Sequence, residues 1–433
     1  NIPGLPGVDG FETLYYIIAF ALTVSIAVVA WLIKSPIGVI WKAISENERR
    51  LSYFGYDTPL LKAVAFGVSG VLGGVAGVFY APHQGLVTPQ LTGFILSAEL
   101  LIWCAVGGRS SLTGPVIGTV LVGSLTAELR DVIPVWELMV AGLFIAVVLF
   151  MPGGLAGGAE RFLHRLLVRP YQPSPTLAPF PTSIIVPPRL EISDCKLSIG
   201  SVTILDRLSL KVDHPAIYCL IGPNGAGKTT TFNMLTGSLS AQSGKVVLDD
   251  EIVTSFNPNQ MSKRGVGRKF QVPSIFPNLT IAENLNSALW GGRCSLLDLL
   301  GSEPMAWHSL VLDDLKSRFD FLNQDLKLSG ALSHGEKQML ELSMALLGEP
   351  RLLLLDEPCA GLSSRETKSV MDTIRWIRSA LGITVIVIEH DMRLVHELAD
   401  RVIVMHQGQV LTTGSVAEIQ SDPLVQEVYV GVS

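Results

Sequence analysis

The sequence predicts a multidomain chain: an all-α transmembrane region followed by an α/β domain built on a phosphate-binding loop. Three observations carry that expectation. Apolar residues make up 48% of the 433 residues and charged residues only 16%. The mean hydropathy of +0.43 is too high for an ordinary soluble protein. The charge is also unevenly placed, since residues 1–150 hold few Lys, Arg, Asp or Glu while the chain after Arg189 has ordinary globular composition. Beyond Arg189, short β-branched runs alternate with helical stretches, the pattern of an α/β domain.

The apolar segments come first. Leu14–Ile33 is a charge-free run of about the length needed to cross roughly 30 Å of hydrocarbon. Ala63–Tyr80 is a second, in which Gly70/Gly74 and Gly73/Gly77 form interleaved GxxxG pairs that let another helix pack closely in lipid. Phe94–Val106 is shorter and contains Glu99. Leu112–Leu125 and Trp136–Met151 complete five predicted crossings. Basic residues in short loops set the orientation. Lys34, Lys42, Arg49, Arg50 and Lys62 place the first connection in the cytoplasm, and Ala81–Gly93, free of Lys and Arg, lies outside. Arg109 is inside again, Arg130 is an exception on an outer loop, and Arg161, Arg165 and Arg169 follow the last span on the inner side. On this count the chain starts outside, and its second half is cytoplasmic.

Prolines 170, 173, 175, 179, 181, 187 and 188 then make an extended spacer that holds neither a helix nor a central strand. The predicted division is a membrane domain at 1–160, a linker at 161–188 and an α/β domain at 189–433. The five cysteines (Cys104, Cys195, Cys219, Cys294, Cys359) are odd in number and lack metal-ligand spacing, which reads as reduced thiols. A net charge of −6 gives no reason to expect nucleic-acid binding. No initiator Met or signal peptide is recognisable, and an upstream portion or another chain is expected to supply further spans.

The chemistry sits in the second half. Ala216–Ile221 reads as a buried strand running into Gly222, Pro223, Asn224, Gly225, Ala226, Gly227, Lys228 and Thr229, with Thr230–Gly237 as the following helix. Glycines in such a loop let backbone N–H groups turn toward phosphate oxygens, and the helix dipole favours the anion. Lys228 is placed to reach the β- and γ-phosphates of ATP, and Thr229 to ligate Mg²⁺. Arg351–Leu355 reads as a second strand ending in two carboxylates. Asp356 is the candidate for the Mg²⁺ shell and Glu357 the candidate general base for the attacking water. A third strand, Thr384–Ile388, leads into Glu389 and His390. A histidine there can reach a γ-phosphate, although a lone one is more often merely solvated.

In order, Gly222–Thr229, Gln271, Leu332-Ser333-His334-Gly335-Glu336, Asp356-Glu357 and His390 resemble the motif set of ATP-binding-cassette ATPases, from about Leu190 to the end. The resemblance implies that Thr230, Gln271, Ser333 and Gly335 join the ATP site and that Gln271 senses Mg²⁺ and touches a permease. It further implies that Ser333 and Gly335 close over ATP held by an opposite subunit. Four positions depart from the family pattern. His334 stands where Gly is usual and Glu336 where Gln is common. Ile199 falls where an aromatic normally stacks on adenine, Tyr218 being a poor substitute within a strand. Ser363 stands where many relatives have Asp.

In the membrane half, Ala43-Ile-Ser-Glu46-Asn47-Glu48-Arg49-Arg50 and Phe54-Gly55-Tyr56-Asp57 resemble the cytoplasmic loop of permeases that import branched-chain amino acids or urea. In that family the loop is a coupling helix, near 43–55 here, that docks into the ATPase. The charges of Glu46, Glu48, Arg49 and Arg50 suit a helix outside the bilayer, with Leu51, Tyr53 and Phe54 available for docking. The bland alternative is an ordinary amphipathic loop. Ile102–Arg109, the LSHGEKQ stretch at 332–338 and Glu427–Gly431 look closest to the urea branch.

The resemblance therefore implies ATP-driven import of urea or a short-chain amide across the inner membrane, with branched-chain amino acid import as the alternative. Its implied partners are a second ATPase domain, a second permease domain, an extracytoplasmic solute-binding protein and the bilayer. Two further readings are export, which the short loops disfavour, and a membrane-tethered regulatory module with a degenerate ATPase. The intact Lys228, Asp356, Glu357 and His390 argue against the last. Glu99, ionisable within a span, is a candidate transport residue.

Overall fold

The computed structural model describes residues 11–84, 94–108, 111–132, 136–150, 154, 156, 178–179, 186–301 and 307–430. Arg109, Met151, the arginines at 161, 165 and 169, and most of the proline-rich stretch lie outside the described residues. The chain forms two compact units. One comprises Asn1–Lys34 with Val64–Gln172, the other Ser35–Ala63 with Pro173–Ser433.

Six helices follow one another among the described residues of the first part: α1 (Phe11–Lys34), α2 (Pro36–Ser52), α3 (Thr58–Gln84), α4 (Phe94–Gly107), α5 (Gly114–Val132) and α6 (Trp136–Phe150). Among the described residues two stretches, Glu12–Lys34 and Thr58–Ala81, are long and apolar enough to cross a bilayer. The other three expected crossings do not meet that test among the described residues, where α4 and α6 run for 14 and 15 residues and border residues that are not described. The apolar part of α5 stops near Leu125, before Glu128, Arg130 and Asp131.

Within the first unit, α4 and α5 meet backbone to backbone. A Cβ added at Gly107 would lie 1.9 Å from the Gly114 carbonyl oxygen, and one at Gly118 would lie 2.0 Å from that of Trp103. Val106, Val122 and Val147 form a small buried cluster beside them. The GxxxG face of α3 behaves differently, because a Cβ at Gly70, Gly73, Gly74 or Gly77 meets no described atom within 4 Å. The close packing predicted for that face is not made among the described residues. Glu99 is half-buried on α4.

The second unit is built on strands β1 (Leu190–Ile199), β2 (Val202–Val212), β3 (Ile217–Ile221), β4 (Ser243–Leu248), β5 (Glu251–Ile252), β6 (Val266–Lys269), β7 (Leu352–Asp356), β8 (Thr384–Ile388), β9 (Arg401–His406) and β10 (Gln409–Gly414). Among the described residues six of them form one sheet in the order β10-β9-β3-β8-β7-β6, parallel apart from the edge strand β10. The runs IYCLI, LLLLD and TVIVI have every residue buried, as expected of parallel strands covered on both faces. A second, antiparallel sheet has the order β2-β1-β4-β5. One apolar core, including Ile192, Leu208, Phe232, Val246, Leu354 and Ile403, joins the two.

Register then decides where the chemistry lies. Ile388 pairs with Asp356 on one side and Leu220 on the other. The residues that follow β3, β7 and β8 therefore leave the sheet at one carboxyl edge, where α/β sheets bind ligands.

The Ser35–Ala63 segment packs into this second unit. Ile37, Ile40, Ala43 and Leu51 are completely buried. Tyr53 stands edge-on to Phe270 at 5.0 Å, and the Tyr56 hydroxyl donates to the Ser287 carbonyl at 2.9 Å. Gly291 sits so close to Phe54 that an added Cβ would lie 2.2 Å from the Phe54 carbonyl oxygen.

Candidate nucleotide-binding and catalytic site

The loop after β3 is shaped by its glycines. Gly222 has φ +153, and a Cβ there would lie 2.3 Å from the Met405 carbonyl oxygen. Gly227, at φ +99, is the left-handed N-cap of helix α7 (Lys228–Leu235), and its Cβ would lie 2.7 Å from Leu205 Cδ2. No L-residue fits either place without displacement. The Gly408 N–H donates to the Ala226 carbonyl at 3.0 Å and holds the loop against the β9–β10 turn. The Lys228 ammonium is folded into the loop, donating to the carbonyls of Gly222 (2.7 Å) and Pro223 (3.0 Å). Burial holds its pKa below the usual lysine value, with Glu357 and Asp356 opposing that shift. Thr229 is exposed and Thr230 half-buried, both in the first turn of the helix.

Asp356 and Glu357 differ although they are adjacent. Asp356 is buried, and burial raises its pKa against the pull of Arg268, whose Nη2 lies 3.4 Å away. Glu357 takes a left-handed φ of +45, uncommon for a side-chain-bearing residue, and its N–H donates to the Ile388 carbonyl at 3.0 Å. That twist brings its carboxylate between two residues remote in sequence. His390 Nε2 lies 2.8 Å from Glu357 Oε1, and Gln271 Nε2 donates to Oε2 at 2.8 Å. The loop, both carboxylates, Gln271 and His390 thus gather at one sheet edge.

Ser333 and Gly335 stand apart, at the start of helix α8 (His334–Leu347). Among the described residues no hydrogen bond or ion pair joins them to the Gly222–Thr229 loop. Ser333 is the N-cap, accepting from the Glu336 N–H while the Glu336 carboxylate accepts from the Ser333 N–H. Glu336 is therefore one half of a capping box, which accounts locally for its presence. Ser363 does the same for helix α9 (Ser364–Leu381), with Glu366 as its partner. The two caps meet, since a Cβ on Gly335 would lie 2.1 Å from Glu366 Oε1 and His334 acts electrostatically on Glu366. The departures at His334 and Ser363 are thus neighbours. Ile199, at the exposed end of β1, is 56% exposed, whereas Tyr218 is buried in β3.

Among the described residues no group of three or more His, Cys, Asp or Glu could hold a metal ion. One buried carboxylate beside an exposed threonine and glutamine is instead a donor set for a hard cation that keeps water and phosphate oxygens as ligands. That chemistry fits Mg²⁺ and does not fit a structural zinc.

Sequence reasoning missed two features. Arg50, whose charge in the sequence only suits a helix outside the bilayer, is 1% exposed and enclosed by residues of the α/β domain. A charge run carries no signal that one of its members has buried partners more than two hundred residues away. Glu389 is also buried, and burial pushes its pKa up to about 7.

A glycine-shaped loop with an inserted lysine, a buried aspartate, and a glutamate held by glutamine and histidine define a P-loop nucleoside triphosphatase. Residues 205–360 match the family model described as ABC transporter. Residues 5–149 match that of the branched-chain amino acid transport system permease component. The chain is 34% identical over 254 residues to the high-affinity branched-chain amino acid transport ATP-binding protein BraF of Pseudomonas aeruginosa, covering 56% of this chain and 98% of BraF. It is also 34% identical over 251 residues to LivG of Escherichia coli, with the same coverage of each. A solved nucleotide-free ATP-binding cassette from an ABC transporter is 26% identical, with a TM-score of 0.47 over 56% of this chain and 98% of that one. The chain belongs to the ABC transporter family, with a permease segment and an ATP-binding cassette on one polypeptide. Its cassette binds ATP and is an ATP hydrolase coupled to transport.

Proposed function

We propose that the protein is half of an importer for branched-chain amino acids in the inner membrane, its cassette in the cytoplasm. The observation that carries this reading is the pairing of a permease segment of the branched-chain amino acid type with a cassette resembling BraF and LivG. The motif likenesses that favoured urea or a short-chain amide have less support, because the relatives' names point to the alternative substrate.

In the proposed cycle Gly222–Thr230 cradle the phosphates of ATP, and Lys228 neutralises their charge. Thr229, Gln271 and Asp356 would hold Mg²⁺, which when bound offsets charge on the phosphates. Glu357 polarises the attacking water, and His390 and Gln271 hold its carboxylate in place. Ser333 and Gly335 complete the ATP site of a second cassette, and their separation from the loop within one chain supports that composite arrangement. A second permease domain and an extracytoplasmic solute-binding protein complete the proposed assembly. Glu99 is retained as a transport candidate, and unchanged uptake in Glu99→Gln removes it.

Two measurements test the reading. Uptake of labelled leucine, isoleucine and valine is compared with urea and acetamide, and uptake of urea alone overturns the substrate assignment. Glu357→Gln is expected to retain ATP while turnover falls by about a hundredfold or more. Hydrolysis at the parental rate removes Glu357 as the base.

A further inference from the structure

Arg50 of the docking segment lies between two elements of the cassette, the strand β6 that leads to Gln271 and the helix α8 capped by Ser333. Its side chain is wholly buried, as is that of Glu341 on α8. Arg50 Nη1 donates to the Arg268 carbonyl at 2.8 Å and lies 3.3 Å from Glu341 Oε1, while Nη2 donates to the Glu341 carbonyl at 3.2 Å. The same Glu341 Oε1 accepts the Phe270 N–H at 3.0 Å. Phe270 immediately precedes Gln271, whose amide donates to Glu357. On the far side, the Arg268 side chain reaches Asn233 at 2.7 Å and Asp356 at 3.4 Å. The Arg50 guanidinium also stacks over Phe54 at 4.7 Å and lies 5.6 Å from the Phe270 ring.

We propose that Arg50, acting through Glu341 and the Arg268 carbonyl, is a positioning residue for the backbone that leads to Gln271 and, through it, for Glu357. The proposal rests on the catalytic reading of Glu357 and adds which side chain of the 35–63 segment acts on it. A docking contact alone does not need a charge, because apolar residues of similar volume fill a buried site without the cost of desolvating an ion pair. What an apolar residue cannot do is commit one carboxylate oxygen to both the docked segment and the Phe270 N–H. Lys269, buried on the same strand, also attracts Glu341. Loss of Arg50 therefore leaves Glu341 to that competing cation, and the backbone before Gln271 loses its fixed acceptor. Arg268 is placed so that the same displacement reaches Asp356. Arg50 touches neither nucleotide nor water, so its effect should fall on turnover and not on ATP affinity.

The test uses the full chain in its assembled transporter, with ATP turnover measured against ATP concentration and a thermal midpoint for each variant. Arg50→Met/Glu341→Leu removes both buried charges together. We expect it to keep a near-parental midpoint, to lower kcat by about tenfold or more, and to leave KM for ATP within about twofold. Arg50→Lys keeps the charge without the forked donors, and should recover part of kcat with the same unchanged KM. Should the double variant fail to fold, Arg50→Lys carries the test alone through that kcat-only loss. Parental turnover in the double variant overturns the proposal, as does a rate loss matched by an equal rise in KM. Glu357→Gln run in parallel separates the two readings. If it hydrolyses at the parental rate, the catalytic assignment fails. If it stalls while the double variant runs normally, only the positioning role falls.

Discussion

Replacing Glu389 with Gln should remove a pH dependence from the stability of the cassette. Glu389 is 7% exposed, and its Oε1 has no hydrogen-bond partner among the described residues. Burial is the main force on its carboxyl, and the charges of Glu357 and Asp391 act in the same direction. Together they lift its pKa from 4.5 to about 7 against hydrogen bonds from the backbone of His390 and Cys359. The sign follows from the neutral form being the one the fold prefers. The stabilising contribution is fully present below about 4.5, where both folded and unfolded chains carry the proton, and it is lost as pH rises through about 7. At about 1.4 kcal/mol per pKa unit, the folded state at pH 8 forgoes roughly 3 kcal/mol that the amide would keep. For a cassette of this size that amounts to roughly 5–10 °C in thermal midpoint. The assay is thermal unfolding of the solubilised full chain, parent against Glu389→Gln, from pH 5 to pH 8. Buried Asp356 and Glu341 titrate in both proteins and cancel in the difference. The gap between variant and parent should be small near pH 5, widen as pH rises and be largest at pH 8. Parallel curves across the range would refute the assignment of a protonated, buried Glu389.

Two further outcomes follow from local geometry. Gly227→Ala forces a side chain into φ +99 and against Leu205, so it should lose about 1–3 kcal/mol of stability and weaken ATP binding, checked by unfolding and nucleotide titration. Ser363→Ala removes the N-cap of α9 and its box with Glu366, costing about 1 kcal/mol, whereas Ser363→Asp keeps an acceptor and should stay within a few tenths, both read from thermal midpoints.

The parts of the site legible in the sequence were those whose chemistry is local. The strand Thr384–Ile388 lies where its β-branched run placed it, and the phosphate loop follows its strand because glycine spacing and a buried pentapeptide are properties of adjacent residues. The gathering of Gln271, Glu357 and His390 was accessible only through the order of motifs. No spacing along the chain announces that parallel register aligns Ile388 with Asp356. The apolar runs were visible as helices but not by length, since Glu128, Arg130 and Asp131 fall within α5 rather than after it. Arg50 was beyond reach for a different reason. Burying an arginine is unfavourable on its own account, and only Glu341 and the Arg268 carbonyl make it tolerable.

The charge run that hid Arg50 also shows how the segment is held. Four charges fall within residues 46–50, and on an unbroken helix they would spread around its surface. Asn47 breaks α2 with φ −156 and ψ 81, and its side-chain oxygen accepts the Arg50 N–H at 2.9 Å, capping the turn that follows. Its amide nitrogen donates to Ser274 Oγ at 2.9 Å, so the break is itself tied to the cassette. The charges then divide. Glu46 accepts the Asn278 N–H, and Glu48 binds Thr58 and Lys62 at the start of α3. Arg49 stays exposed with its guanidinium 5.9 Å from the Phe270 ring, and Arg50 enters the cassette. Exposed pairs such as Glu48–Lys62 contribute little stability each, about 0–1 kcal/mol. Their place here is geometric: they flank the turn on which Arg50, and not Arg49, meets Glu341. An asparagine that both breaks and caps is thus the feature that turns a solvent-like sequence into a buried contact with Glu341, which accepts the Phe270 N–H just before Gln271.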